Sequence, residues 1–279
     1  MRKTSIFLLI LAFFVLAGCD KLKGKNEDNT PTFSSANNAP GMSEYKQGDE
    51  AYYDGNYAKA FDLYTKAANK GLPEAQYELG LMYDDEEDDY YNPEEAVRWY
   101  KKAADQGHPN AQYNLAVSYD FGDGAEEDDS LAMFWYTKAA AQGHADAQYN
   151  LALMYENGEG LAEPNFNKAI EYYTKAANQN HRDATNNLGY LYDEHLGKPK
   201  EAYKWYLLAA KLGSDDAAYN IGMLYEYGNM GKEDYTTACA WYYLSGDEDA
   251  VDECDDKLTN IQAKKVESIM KDITKELGL

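Results

Sequence analysis

One phrase recurs along this chain and limits what it can fold into. It reads Ala75-Gln-Tyr-Glu-Leu-Gly, Ala111-Gln-Tyr-Asn-Leu-Ala, Ala147-Gln-Tyr-Asn-Leu-Ala, Ala184-Thr-Asn-Asn-Leu-Gly and Ala217-Ala-Tyr-Asn-Ile-Gly. A second phrase alternates with it, through Trp99-Tyr-Lys-Lys-Ala-Ala, Trp135-Tyr-Thr-Lys-Ala-Ala, Tyr172-Tyr-Thr-Lys-Ala-Ala and Trp205-Tyr-Leu-Leu-Ala-Ala. Successive copies start 36, 36, 37 and 33 residues apart, a period typical of stacked supersecondary units. A unit of that size cannot bury its apolar face alone, so neighbours must stack into a continuous core.

Each phrase carries a helical period. Ala111, Leu115 and Tyr119 fall at i, i+4 and i+8, as do Ala96, Tyr100 and Ala104 in the second phrase, which places each set on one helical face. A small residue stands at 80, 116, 152, 189 and 222, and an alanine at 60, 96, 132, 169, 202 and 238, where helix axes are expected to approach closely. Gly71, Gly107, Gly143 and Gly213, with Asn180 substituting once, sit where a left-handed C-cap is expected. Pro73 and Pro109 then open the next helix. From the tyrosine ending each first phrase to the alanine opening the second runs 13, 13, 14, 10 and 13 residues. The joining loop therefore absorbs the variation in period.

The amino end reads as a processing signal. Arg2 and Lys3 precede the apolar stretch Ile6 to Leu16 and the small-residue site Leu16-Ala17-Gly18-Cys19. The stretch is shorter than the roughly 20 apolar residues that span a bilayer. Leu-Ala-Gly-Cys resembles the bacterial lipobox, which implies a lipidated Cys19, a membrane lipoprotein and a cell-envelope location. Asp20 resembles an inner-membrane retention signal, and favours a periplasm-facing anchor there. Residues 19–42 follow as a polar tether with Lys21, Lys23 and Lys25, which cannot bury enough surface to fold. The formal charge of −23 argues against nucleic acid, whose phosphates require a basic footprint. It leaves basic peptides, basic proteins, divalent cations or neutral glycans as suitable partners.

The combined pattern, Ala-x-x-x-Leu-Gly/Ala-x-x-Tyr, then an acid-containing loop, then Trp-Tyr-x-Lys-Ala-Ala-x-x-Gly, resembles the tetratricopeptide-related Sel-one-like repeat. The opening unit, with Gly48, Gly55, Tyr57, Ala60, Tyr64 and Ala67, resembles an ordinary tetratricopeptide repeat. The expected organisation is a signal peptide at 1–18, a tetratricopeptide-like unit at 43–72, and repeats at 73–108, 109–144, 145–181, 182–214 and 215–246, followed by a helical cap at 247–279. The expected fold is all-α: a right-handed αα-superhelix, a solenoid of about six helix-turn-helix repeats plus a C-terminal capping helix.

No catalytic motif appears in the sequence, and no cofactor or metal is expected. His108, His144 and His181 share one register but are a repeat apart. Packed helices lie 8–10 Å apart, so these histidines read as loop residues. The acidic loops 84–89 and 126–129 lack the alternate ligands and central glycine of a calcium loop and read as a solvated edge. Cys239 falls on a core register and Cys254 lies across the turn near Gly246. They read either as one disulfide clamping the last unit to the cap or as two buried thiols.

The candidate recognition surface is a ladder on the first helices: Asn114, Asn150, Asn187 and Asn220, with Glu78 at the first rung. An amide offers two donors and an acceptor, which suits an extended peptide. Tyr77, Tyr113, Tyr149 and Tyr219 adjoin it, with Gln76, Gln112 and Gln148. This register resembles the tetratricopeptide position whose asparagine holds a peptide backbone in the concave groove. The other reading is that each asparagine only bonds the neighbouring unit. In the opening unit Asp49 reads as the rung residue, which speaks against capture of a free carboxylate. The resemblance implies a non-catalytic, membrane-anchored scaffold binding a protein or peptide. It also admits assembly of an envelope polysaccharide-export complex. Cysteine-rich relatives are associated with β-lactam binding or hydrolysis, but they carry a cysteine pair in most units, and only one pair stands here.

Overall fold

The computed structural model describes residues 39–86 and 89–278. The expected signal segment, Cys19 and most of the tether lie outside them. All regular structure among the described residues is helical. The helices are α1 (Met42–Tyr53), α2 (Tyr57–Asn69), α3 (Pro73–Asp84), α4 (Pro93–Asp105), α5 (Pro109–Phe121), α6 (Asp129–Ala141) and α7 (Ala145–Asn157). They continue with α8 (Phe166–Ala177), α9 (Arg182–Tyr190), α10 (Pro199–Lys211), α11 (Asp215–Glu226), α12 (Tyr235–Ser245), α13 (Glu248–Lys257) and α14 (Asn260–Leu277). Each odd helix through α11 packs on the even helix after it, and that even helix packs on the next odd one. Six such pairs make a superhelical solenoid.

Local chemistry sets the boundaries. Pro73, Pro93, Pro109 and Pro199 stand at the first turns of their helices, where a missing N–H removes no hydrogen bond. Asn56, Asn92, Asp128, Asn165 and Asp234 cap even helices by accepting the backbone N–H three residues on. At the close of the even helices the chain turns through positive φ, 93° at Gly107 and 63° at Asn180. Asparagine serves there because its short polar side chain tolerates the left-handed region.

The core is a column of even-helix tyrosines set among alanines. Tyr100, Tyr136 and Tyr173 are wholly buried, and Tyr64, Tyr206 and Tyr242 nearly so. Each is flanked by the fully buried alanine four residues before it. The small residue of the odd helix lies against that ring: a Cβ on Gly80 would meet Tyr100 at 2.5 Å. Unit five, three or more residues shorter in its inner connection, ends α9 in a π-helical turn, Leu191–His195, and enters α10 through Gly197. The missing residues come out of the connection, and the packed faces stay in register.

The expected single capping helix is two helices. Leu258 is extended, and Thr259 starts α14 with a reciprocal capping box to Gln262. α14 buries Val266 and Ile273 and lies against α12. Cys239 of α12 is joined to Cys254 of α13 as a disulfide, with Cα atoms 5.8 Å apart, so the bridged reading of these cysteines describes the structure.

Candidate functional site

The odd-helix face is organised by a hydrogen-bond relay that crosses from unit to unit. Tyr136 on α6 donates its hydroxyl hydrogen to Asp120 Oδ2, 3.0 Å away at the end of α5. The Tyr136 hydroxyl oxygen in turn accepts from Asn150 Nδ2 of the next unit at 3.0 Å. One repeat on, Tyr173 donates to Glu156 at 2.6 Å and accepts from Asn187 at 3.3 Å. One repeat back, Tyr100 donates to Asp84 at 2.8 Å, and Asn114 bonds its hydroxyl. Burial is the main force raising the carboxyl pKa of Asp84 and of Asp120, while the tyrosine hydrogen bond pulls each the other way.

The asparagine ladder therefore aligns the stack. A primary amide has two N–H donors and an acceptor oxygen. Asn150 and Asn187 each bond the even-helix tyrosine and also the odd-helix tyrosine of the preceding unit, Tyr113 and Tyr149, and the ladder side chains remain half-buried at the surface. Asn220 departs from the pattern: it donates to Asn186 Oδ1 at 3.1 Å, because Asn186 replaces the tyrosine found at 77, 113, 149 and 219.

The glutamines do not belong to the surface. Gln112 and Gln148 are only 4% and 5% exposed. Gln112 Nε2 donates to Ala104 O at 3.1 Å and its Oε1 accepts from Gln142 at 2.8 Å. Gln148 repeats both bonds with Ala140 and Gln179. Each bridges the carbonyl of the preceding even helix to the end of the following one, so a ligand would have to break the stack to reach it.

The tyrosines hold an intermediate position. Tyr113 stacks on His144 at 4.6 Å and Tyr149 on His181 at 4.7 Å, while Tyr77 stacks on His108 at 4.8 Å. Tyr219 packs tilted against Tyr242 at 5.2 Å. All four keep one part accessible. The histidines are more than loop residues. Nδ1 of His108, His144 and His181 accepts the backbone N–H of Ala111, Ala147 and Ala184, capping α5, α7 and α9. Ser214 does the same for α11. Burial pushes the His108 imidazole down to about 4, consistent with a neutral acceptor. Among the described residues no group of three or more His, Cys, Asp or Glu is arranged to hold a metal ion.

The opening rung is corrected by the structure. Gly48 lies against Tyr64 as Gly80 lies against Tyr100. The asparagine register, two residues before that small residue, then falls on Lys46 and not on Asp49. Asp49 instead takes the carboxylate's part, accepting from Tyr64 at 2.8 Å. The carboxylates themselves were readable: Tyr83-Asp84, Tyr119-Asp120, Tyr155-Glu156, Tyr192-Asp193 and Tyr225-Glu226 repeat one dipeptide, whose acidic member does not mark a buried face and so escapes a search for apolar periodicity.

Residues 41–72, 73–108, 109–144, 145–181, 182–214 and 215–249 each match the Sel1 repeat family model. The crystal structure of a Sel1 repeat protein from Oxalobacter formigenes is 31% identical, with 72% of this chain and 84% of that one covered at a TM-score of 0.67. The structure of c5321, a protective antigen present in uropathogenic Escherichia coli strains and displaying an SLR fold, is 26% identical over 85% of this chain and 69% of that one, at a TM-score of 0.37. No curated protein matches the chain.

Proposed function

The chain belongs to the Sel1 repeat family, and from that premise we propose that it is a lipid-anchored envelope scaffold that binds a basic protein or peptide segment along its odd-helix face. Sel1 repeat proteins are generally non-catalytic scaffolds for protein–protein interaction. The observation that supports this surface is the repeated carboxylate–tyrosine–asparagine relay. It sets a row of half-buried carboxylates beside half-buried amides that are already ordered by tyrosine hydrogen bonds. Amides suit the peptide backbone, carboxylates suit basic side chains, and tyrosines supply amphipathic area at low entropic cost. A net charge of −23 would steer a basic partner toward the domain.

The anchor rests on the sequence alone: Leu16-Ala17-Gly18-Cys19 is the lipidation signal, and the tether would hold the solenoid away from the membrane. Among the described residues no helix is long and apolar enough to cross a membrane. A Cys19→Ala variant is expected to leave the membrane fraction; retention there would remove the anchor from this reading.

The binding surface is tested by site-specific photocrosslinking in the native envelope. A photoreactive phenylalanine replacing Tyr149, on the odd-helix face, should capture a partner. The same probe replacing Lys138, on an even helix, should not. Capture only from Lys138 would move the interface to the other side of the solenoid.

A further inference from the structure

We propose that an open cavity in unit five receives a cationic side chain of a basic partner, a lysine or arginine laid on the indole of Trp205 beside Glu201. The basic character of the partner rests on the reading above; its contact with this cavity does not require the odd-helix face. Units two to four fill a position that unit five leaves empty. Three residues after the even-helix aromatic, Lys102, Lys138 and Lys175 hold their ammonium groups 3.3, 5.3 and 4.3 Å from the ring centres of Trp99, Trp135 and Tyr172. In unit four Lys168 brings a second ammonium to 5.9 Å from Tyr172, and Glu171 pairs with both lysines at 2.8 Å. The register is thus a cation site, an aromatic face attracting a positive charge, and in these units the chain supplies the cation itself.

Unit five keeps the aromatic platform and changes what surrounds it. Leu208 follows Trp205 at the spacing of those lysines, while Glu201 and Lys204 stand at the places of Lys168 and Glu171. These three side chains, with Trp205 and Tyr192, line a cavity of about 390 Å³, the size of a small-ligand cleft. Among the described residues no lysine lies over the Trp205 ring, and neither Glu201 nor Lys204 is in an ion pair. Trp205 is half-buried, whereas Trp99, Trp135 and Trp241 are buried. Trp241 also lacks the lysine, having Leu244 in its place, but at 2% exposure it has no face to offer. In unit four the counterparts Tyr155 and Tyr172 stack at 5.7 Å. In unit five Tyr192, carried on the π-helical turn, and Trp205 are both walls of the cavity. Lys198 comes no nearer to the Tyr192 ring than 6.0 Å, the outer limit of such a contact. An incoming cation would find the indole face and the Glu201 carboxylate as its counter-charge. Lys204 opposes it by like charge, which makes the sign of the occupant measurable.

The test follows the indole N–H signals of the soluble chain by NMR, with isotope-labelled tryptophan, at about 0.15 M salt, where diffuse attraction is screened beyond ~8 Å. The probes are N-acetylated (Gly-Lys)4 and its ε-N-acetyl-lysine form. The Trp205 signal, assigned by its loss in Trp205→Phe, should shift to saturation with the lysine peptide and stay in place with the acetylated one. Leu208→Lys gives unit five the lysine of units two to four, so the variant should fold and fill the site from within. It should weaken the titration at least about threefold, the scale of one cation–aromatic contact. Tyr53→Lys, which adds the same charge on a side chain 88% exposed in unit one, should not. Lys204→Ala should strengthen binding. A Trp205 signal that does not move overturns the cavity, as does an equal shift with the acetylated peptide or an equal titration by wild type and Leu208→Lys. Weaker binding by Lys204→Ala overturns the cationic occupant. If Asn150→Ala weakens the peptide in fluorescence polarisation while the Trp205 signal stays in place, the odd-helix face stands and the cavity falls. If Trp205 responds as expected and Asn150→Ala binds like wild type, the cavity stands and the odd-helix face falls.

Discussion

Gly222 lies so close to the ring of Tyr242 that a Cβ built on it would stand 2.4 Å from Cε1. The same relationship joins Gly80 to Tyr100 and Gly189 to Tyr206. In units three and four the position is Ala116 and Ala152, both fully buried, so those units are built around a methyl group. Gly222→Ala should gain about 1 kcal/mol of helix propensity and lose more to overpacking, typically about 1–3 kcal/mol. Urea denaturation should show a lower midpoint for Gly222→Ala; a raised midpoint would mean that the ring moves aside freely.

His108 predicts an acid-sensitive solenoid. Its pKa falls from 6.5 to about 4 on folding through burial, so the unfolded chain binds the proton more tightly. Its contribution is complete above about pH 6.5 and disappears as pH falls toward 4. Protonated Nδ1 also cannot accept from Ala111. His108→Asn, which keeps a capping acceptor without a titrating ring, should flatten the fall of thermal stability between pH 6.5 and 4. An unchanged pH profile would remove this histidine as its cause.

Glu78 works in the opposite direction. Its carboxyl rises from 4.5 to about 7 on folding, by burial first and then by the charge of Asp49. The folded chain binds that proton more tightly, so the rung is most stable below about pH 4.5 and loses stability as pH rises through 7. Glu78→Asn should raise the melting temperature at pH 8 and leave it little changed at pH 5. Equal shifts at both values would show that Glu78 ionises freely in the fold.

The bridge between Cys239 and Cys254 closes a segment with a sequence separation of 15. Loop-closure entropy for about 15 residues corresponds to roughly 3 kcal/mol. Reduction should therefore loosen the last unit and the cap first, since each pair in a solenoid leans only on its neighbours. Hydrogen exchange should accelerate in α12 to α14 while α3 to α6 stay protected. Uniform acceleration would show that the cap governs the whole stack. Peptide mapping without reductant should recover the two cysteines as one linked species.

The residues show two different kinds of legibility. Helical pairs, their stacking and the left-handed turn at Asn180 were readable because they follow from local rules: apolar spacing, cap chemistry and a 36-residue period. The division of labour within each rung was not. Gln112 and Asn150 look equivalent as polar residues beside a tyrosine, yet Gln112 is sealed between carbonyl and amide while Asn150 keeps part of its amide outside. His108 looks like a loop residue until the N–H of Ala111 is placed against it. Asp49 looks like a rung until the Tyr64 ring fixes Gly48 and shifts the register by three.

By itself, then, the sequence determined that this chain is a helical solenoid with a strongly acidic charge, because repetition and composition act through short-range spacing. Only the tertiary structure decided which polar atoms bond across units and which face outward. A hydrogen bond between Asn150 and Tyr136 depends on where two helices of different units meet, and that position is set by the packing of whole side chains across the interface.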